Sequence, residues 1–379
     1  MKKIPEIPVL LLTGYLGSGK TTLVNRILSN KRGIKFAVIV NDIGEVNIDA
    51  SLIEKGGIVD QSDDSLVALQ NGCICCTLKM DLVQQLSDIA NVGKFDYIVI
   101  EASGICEPAP IAQTISAYPI ASPQYAKNGI AKVDAIVTVV DAMRMRDEFS
   151  NGNDLLKDHL EEDDLESLVI QQIEFCNIIL INKASEVTPE ELGKVKAIIR
   201  TLQPHAQILE CNYGNIDLDK IINTHLFDFD KVATSAAWIA AIEEDADIEN
   251  EESGEALEYN IQTFVYQRRK ALDLGLFDDF VARKWPKNVI RCKGICYFGD
   301  EKDMCYVFEQ AGKQVQIRDA GQWYATMPAE ELKKMMDENP GLRRDWDEKY
   351  GDRMQKLVFI GQNLDKDAIT EQLDACLMD

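Results

Sequence analysis

The chain has 379 residues, of which 46% are hydrophobic and 27% charged, an ordinary composition for a globular protein of about two domains. Its 40 Lys and Arg residues against 63 Asp and Glu residues give a net charge of −23, which disfavours binding to nucleic acid or to an anionic membrane. No apolar run approaches the ~20 residues that span a bilayer, and the start lacks a secretory signal. Ten irregularly spaced cysteines are not typical of a disulfide framework, so we expect a cytoplasmic protein.

Five short apolar runs, rich in β-branched residues, follow one another through the first part of the chain. They cover residues 9–12, 36–40, 97–100, 135–140 and 178–181. Segments with helical spacing, such as the one that contains Leu23 and Ile27, lie between them. This alternation predicts an α/β domain with a doubly wound, mainly parallel sheet, in which ligands bind at the carboxyl ends of the strands.

A strongly acidic run over residues 243–258 divides the chain. Because like charges at this density repel one another and stay solvated, we interpret it as a linker or an exposed loop. We therefore predict an amino-terminal domain over 1–235, an acidic linker over 236–258 and a smaller α+β domain over 259–379. In this last part strands are predicted at 259–266, 289–298, 304–309 and 356–360, and helices near 274–285 and 368–377.

A phosphate-binding motif follows the first apolar run. The segment from Gly14 to Thr21 matches G-x-x-x-x-G-K-[ST], in which backbone N–H groups cradle phosphates at a helix N-terminus. Lys20 would reach the β- and γ-phosphates, and the Thr21 hydroxyl would hold Mg²⁺. The predicted nucleotide-binding residues of this motif are Gly14, Gly17, Ser18, Gly19, Lys20, Thr21 and Thr22.

Acidic residues follow two later strands. Asp42 and Glu45 come after the second run and could approach the metal and the γ-phosphate. Glu101 ends the third run and suits water positioning or a water-mediated Mg²⁺ contact, while the N–H of Gly104 could sense the γ-phosphate. Together with Lys20 and Thr21, these last two residues form the predicted catalytic set.

The fifth run ends in Asn182-Lys183, which resembles a guanine-recognition loop. Ser185 stands two residues after the lysine, where such loops carry an aspartate that accepts hydrogen bonds from guanine N1–H and N2–H₂. A single hydroxyl cannot replace both bonds, although the adjacent Glu186 could compensate. We therefore expect a preference for guanine that Ser185 weakens.

Three cysteines, Cys73, Cys75 and Cys76, fall within four residues, just before a helical pattern that begins near Lys79. A helix N-terminus favours the thiolate, and three thiolates suit tetrahedral Zn²⁺ or Cu(I). Redox exchange and simple burial are the competing interpretations, although a bridge between adjacent cysteines would be strained.

Taken in order, GYLGSGKTT, NDIGEVNIDASL, NGCICCTL and EASGICEPAPI resemble the metallochaperone GTPases of the CobW/cobalamin-synthesis-protein type. RCKGICYF and GDRMQKLVFIGQ resemble the carboxyl-terminal domain of that family. The resemblance implies a SIMIBI-class P-loop GTPase that binds Zn²⁺, or Co²⁺, at Cys73, Cys75 and Cys76. It also implies slow hydrolysis of GTP coupled to metal delivery into a client metalloprotein, and it allows a homodimer. The chain departs from the family at Ser185 and lacks the His-rich tract of many members.

Two other functions remain open from the residues. One is a P-loop ATPase or kinase in which zinc is structural, which would require a phosphate acceptor. The other is a zinc-buffering or client-binding module that never hydrolyses its nucleotide.

Overall fold

The computed structural model describes residues 4–29, 32–40, 79–149, 163–233, 259–312, 314–338 and 340–378. They fall into two compact units, one built around a six-stranded sheet and the other around a five-stranded sheet. The first sheet is parallel and the second antiparallel, which confirms the predicted combination of an α/β domain with an α+β domain.

The strands of the first unit are Glu6–Thr13 (β1), Phe36–Val40 (β2), Tyr97–Glu101 (β3), Ile130–Asp141 (β4), Ile178–Asn182 (β5) and Gln207–Glu210 (β6). They lie in the order β2-β3-β1-β4-β5-β6. Strands β2, β3 and β5 are buried along their whole length, as their continuous apolar runs predict for a sheet covered on both faces.

The helices that lie between or directly after these strands in the chain are Lys20–Leu28 (α1), Lys79–Val92 (α2), Pro108–Ala121 (α3), Ala142–Phe149 (α4), Asp163–Glu174 (α5), Pro189–Leu202 (α6) and Phe229–Ala233 (α7). Helix α1 buries Leu23, Val24 and Ile27 against the sheet, which confirms its predicted helical spacing. Helix α2 begins at Lys79, where the helical pattern starts. None of the described helices is long and apolar enough to cross a bilayer.

Because these six strands are parallel, their last residues meet along one edge of the sheet. Thr13, Glu101, Asp141 and Asn182 end β1, β3, β4 and β5, so polar side chains gather there from four strands. Behind that edge the buried Thr13 hydroxyl is hydrogen-bonded to that of Thr138 at 2.8 Å, which ties β1 to β4 just before the phosphate-binding loop begins.

The second unit contains Ile261–Arg268 (β7), Val289–Cys296 (β8), Met304–Ala311 (β9), Gln314–Gln322 (β10) and Gln355–Gln362 (β11), in the order β10-β9-β8-β11-β7. Its helices are Leu274–Asp279 (α8), Ala329–Glu338 (α9), Pro340–Arg344 (α10) and Lys366–Asp374 (α11), and a π-helical turn, Phe280–Lys284, continues α8. An aromatic core that includes Phe277, Phe308 and Phe359 packs between α8, α11 and the sheet.

Two strands, β6 and β10, are not predicted from the sequence, and each lies at an edge of its sheet. Strand β6 has only four residues, with no fully buried side chain, and β10 is exposed along almost its whole length. Neither strand has a run of apolar residues, because its side chains are not buried as those of the other edge strand of the first sheet, β2, are.

Candidate functional site

The phosphate-binding loop joins β1 to α1. Gly14, Gly17 and Gly19 all have positive φ, and the Ser18 N–H bonds the Tyr15 carbonyl at 3.2 Å, which closes the loop into a turn. The Lys20 ammonium donates to the carbonyls of Gly14 (2.7 Å) and Tyr15 (3.2 Å). The lysine therefore lies over the loop, where a phosphate could replace these carbonyls as the acceptor of its hydrogen bonds. Thr22 is exposed on the first turn of α1.

Asn182 begins the predicted base-recognition loop, residues 182–185 at the end of β5, and connects that loop to the phosphate loop. Its Nδ2 donates to the Ser18 carbonyl at 2.8 Å, and its Oδ1 accepts from the Gly214 N–H at 3.2 Å and from the Cys211 thiol at 3.4 Å. Burial raises the pKa of Cys211, which keeps this thiol protonated as a donor. Gly19 has φ of 106°, and a Cβ there would lie 2.3 Å from the Asn182 Nδ2, so the close contact requires glycine.

Lys183 and Ser185 lie next to this bridge. The backbone of Lys183 is in the left-handed conformation, with φ of 57°. Its ammonium forms an ion pair with Asp141 at the end of β4. The backbone N–H and the hydroxyl of Ser185 each donate to Asn212 Oδ1 at 2.9 Å. The Ser185 hydroxyl therefore offers only its lone pairs to a base, which is weaker than the two acceptor oxygens of a carboxylate.

The predicted Mg²⁺ site brings two hard oxygen donors together. The Thr21 hydroxyl donates to Glu101 Oε1 at 2.8 Å, and Glu101 is only 2% exposed. Oxygen ligands of this kind, at a helix N-terminus beside a phosphate loop, fit the coordination chemistry of Mg²⁺. The residues present are therefore compatible with a metal bound between the protein and the phosphates.

Gly104 lies directly against the phosphate loop. It is buried, and a Cβ built on it would come within 2.7 Å of the Leu16 backbone nitrogen. Only glycine permits this approach of the turn after β3 to the loop after β1. The structure thus brings together Lys20, Thr21, Glu101 and Gly104, the four residues predicted as catalytic.

Five of the predicted site residues lie outside the described residues: Asp42, Glu45, Cys73, Cys75 and Cys76. Their roles stay predictions. Among the residues that the structure does describe, no group of three His, Cys, Asp or Glu side chains is arranged to hold a metal ion. Six cysteines elsewhere are buried free thiols, and burial raises the pKa of one of them, Cys176, to about 12.

Two parts of the site are absent from the sequence-based prediction. One is the loop after β6, in which Cys211, Asn212 and Gly214 bond the base-recognition loop. The other is Asp141, which holds Lys183 and also accepts hydrogen bonds from the first backbone N–H groups of α4. Position is the signal that could have found them, because Asp141 ends β4 and the loop follows β6, and both strands run parallel to β1, which leads into the phosphate loop.

Comparison with known proteins identifies both parts of the chain. Residues 8–210 match the family model of the CobW/HypB/UreG nucleotide-binding domain, and residues 261–377 match that of the cobalamin synthesis protein cobW C-terminal domain. The chain is 33% identical to the zinc-regulated GTPase metalloprotein activator 1 of Dictyostelium discoideum, over 98% of this chain and 80% of that protein. The protein of the same name from Schizosaccharomyces pombe is 28% identical, over 95% of this chain and 84% of its own length.

A bacterial relative covers a smaller part of the chain. The zinc chaperone YjiA of Escherichia coli is 33% identical over 58% of this chain and 62% of its own length. The phosphate-loop motif and the two matched domains lead to one conclusion: the chain belongs to the CobW family, with its nucleotide-binding domain followed by its C-terminal domain.

Proposed function

We propose that this protein is a GTPase that carries zinc to a client metalloprotein. The observation that carries the nucleotide part is the 2.8 Å hydrogen bond from Asn182 Nδ2 to the Ser18 carbonyl, which joins the base-recognition loop to the phosphate loop. Two loops held at this spacing suit a ligand that has both a base and phosphates. Relatives named as zinc-regulated GTPases and zinc chaperones support the same function.

In this proposal the four clustered residues act on the phosphates. Lys20 leaves the loop carbonyls to bind the β- and γ-phosphates, and Thr21 holds Mg²⁺, which neutralises phosphate charge. Glu101 positions the attacking water or a water on the metal, and the Gly104 N–H meets the γ-phosphate. Asp42 and Glu45 would approach the same region in the GTP-bound state.

Zinc is the proposed cargo, and Cys73, Cys75 and Cys76 are its proposed ligands. Three thiolates leave a fourth position that a client could fill during transfer. Co²⁺ is the alternative metal. A cytoplasmic client fits the expected location of the chain, and a homodimer is a further proposal that the mass of the nucleotide-bound protein in solution would test.

The effect of the bound nucleotide on the zinc affinity distinguishes this function from its alternatives. We would measure Zn²⁺ affinity by chelator competition without nucleotide and with Mg²⁺ plus GDP, a non-hydrolysable GTP analogue or its ATP counterpart. A change of at least fivefold between the GTP analogue and GDP, which is about 1 kcal/mol of coupling, supports the carrier function. Identical affinities in every state would mean a structural or incidental metal and would contradict it.

Two controls identify the sites. A triple Cys73→Ala, Cys75→Ala, Cys76→Ala variant should lose the zinc affinity, and Lys20→Ala should lose GTP hydrolysis. Single-turnover hydrolysis with and without zinc separates the carrier from a module that never hydrolyses its nucleotide. A shift seen only with the ATP analogue would favour the ATPase alternative, for which Ser185 is the structural reason.

A further inference from the structure

Gln172 on α5 is a buried residue that is not among the predicted nucleotide-binding or catalytic residues. It is 1% exposed, and its Nε2 donates to the carbonyls of Gly104 (3.3 Å) and Cys106 (3.0 Å). These two carbonyls belong to the turn that follows β3. One amide group therefore holds both sides of the turn that carries the proposed γ-phosphate sensor.

The same residue is connected to the strand that leads into the phosphate loop. The Gln172 carbonyl accepts from the Thr138 hydroxyl at 2.8 Å, and that hydroxyl is bonded to Thr13 at the end of β1. All these groups are buried. Since buried polar groups are costly to leave unbonded, this network holds α5, β1 and the turn in one arrangement.

Gln172 also borders a small cleft beside the phosphate loop. Its lining includes Tyr15, Ser18, Asp141, Arg144 and Gln172. Within the described part of the chain, neither Gln172 Oε1 nor the buried Ser18 hydroxyl has a hydrogen-bond partner. The described bonds of the amide therefore all go to the turn after β3, so its orientation depends on that turn.

We propose that Gln172 is a positioning residue for the GTP-bound state: its amide holds the Gly104 turn against Leu16 of the phosphate loop, where the Gly104 N–H can meet the γ-phosphate. The inference rests on the proposed role of Gly104. GDP has no γ-phosphate, so loss of the amide should weaken the binding of GTP much more than that of GDP.

The test replaces Gln172 by Met, which keeps the length of the side chain and removes its N–H donors. Gln203→Met is the matched control, because Gln203 is also fully buried and donates to a backbone carbonyl outside the turn, that of Glu174 at 2.7 Å. Affinities for a non-hydrolysable GTP analogue and for GDP would be measured with Mg²⁺ on the full chain.

We expect Gln172→Met to lower the ratio of GTP-analogue affinity to GDP affinity at least fivefold, and Gln203→Met to change it less than twofold. Gln172→Glu, whose carboxylate has no N–H to donate, should act in the same direction and replaces the Met variant if that variant does not fold. An unchanged ratio in the folded variant, or equal losses for both nucleotides, overturns the inference.

Gly104→Ala tests the proposed role of Gly104 separately from that of Gln172. If this variant leaves the ratio unchanged, Gly104 does not sense the γ-phosphate and the proposed role of the turn fails together with that of Gln172. If Gly104→Ala lowers the ratio and the Gln172 variants do not, the turn keeps its role and only the inference about Gln172 is wrong.

Discussion

At the scale of single residues, Ser185 is predicted to set how strictly the site distinguishes bases. Its backbone N–H and its hydroxyl both donate to Asn212, so it offers a base lone pairs only. A carboxylate at this position would accept from guanine N1–H and N2–H₂ together, and adenine has no matching pair of donors.

We therefore expect Ser185→Asp to raise the preference for GTP over ATP about tenfold, since a site built to accept two donors rejects an analogue that lacks them. Competition between the two nucleotides for binding would measure this. Glu186→Gln is the companion variant, because Glu186 directly follows Ser185 and is the carboxylate predicted to compensate for it. If Ser185→Asp changes nothing while Glu186→Gln lowers the preference, Glu186 already recognises the base.

Asn182→Ala should weaken the binding of GTP and GDP by the same factor, at least about tenfold. The substitution removes the donor to the Ser18 carbonyl and the acceptor of the Gly214 N–H, and each buried group left unbonded costs about 1–3 kcal/mol. Neither bond involves the γ-phosphate, so the two nucleotides should suffer equally. Titration with both nucleotides checks this, and a selective loss of GTP would contradict the assigned role.

At the scale of secondary-structure elements, burial decided what the sequence could predict. Strands β1 to β5 have continuous apolar runs because both faces of the sheet are covered, and helix α1 follows from its spacing and its glycine-rich start. Strand β6 lies at an edge and has no such run. Because β6 was not predicted, the loop after it was not predicted either, and Asn212 and Gly214 could not be assigned to the site.

The antiparallel sheet contains a buried charge cluster around Glu309. Lys293 lies 2.8 Å from its carboxylate and Arg291 lies 3.7 Å away, and Arg318 forms a third ion pair. Burial by itself raises the pKa of Glu309, but the three cations outweigh it and hold that pKa below its usual value. Arg291 is only 1% exposed, and Glu309 supplies a carboxylate close to its buried positive charge.

Glu309→Gln should therefore destabilise this unit by about 3 kcal/mol near pH 7, because it leaves buried cations without their carboxylate. Since the native pKa is lowered, the stability that the carboxylate contributes is full above the unfolded pKa of about 4.3 and is lost as the pH falls through the native pKa. Denaturant unfolding of both proteins between pH 3 and about 7 would measure the difference.

Asp337→Asn provides the matched control for that experiment. Asp337 pairs with Arg343 on the surface, and both side chains are more than half exposed. Exposed pairs contribute about 0–1 kcal/mol, so this variant should be close to the wild type at every pH. A Glu309→Gln variant as stable as the control would show that the buried cluster contributes no net stability.

At the scale of the whole molecule, the order of the motifs predicted the architecture better than any single element did. The sequence has a phosphate loop, polar residues at later strand ends and a different pattern of strands and helices after residue 258. Together these features indicated an α/β unit followed by an α+β unit, as observed. The contacts between loops could not be predicted, because they depend on how strand ends meet in space. The bounds of the predicted linker, 236–258, rest on the acidic run.

Limited proteolysis would test that boundary. The acidic run over 243–258 offers many sites to a glutamate-specific protease, and we expect the first cleavage there, giving fragments near 1–235 and 259–379. Trypsin is the matched control, because the chain has no Lys or Arg between Lys231 and Arg268. Mg²⁺ with GDP should slow further digestion of the first fragment alone, since ligand at 100 times its Kd stabilises a folded state by about 2.7 kcal/mol. First cleavage elsewhere, with the run intact, would mean that the acidic segment is protected and that the boundary is wrong.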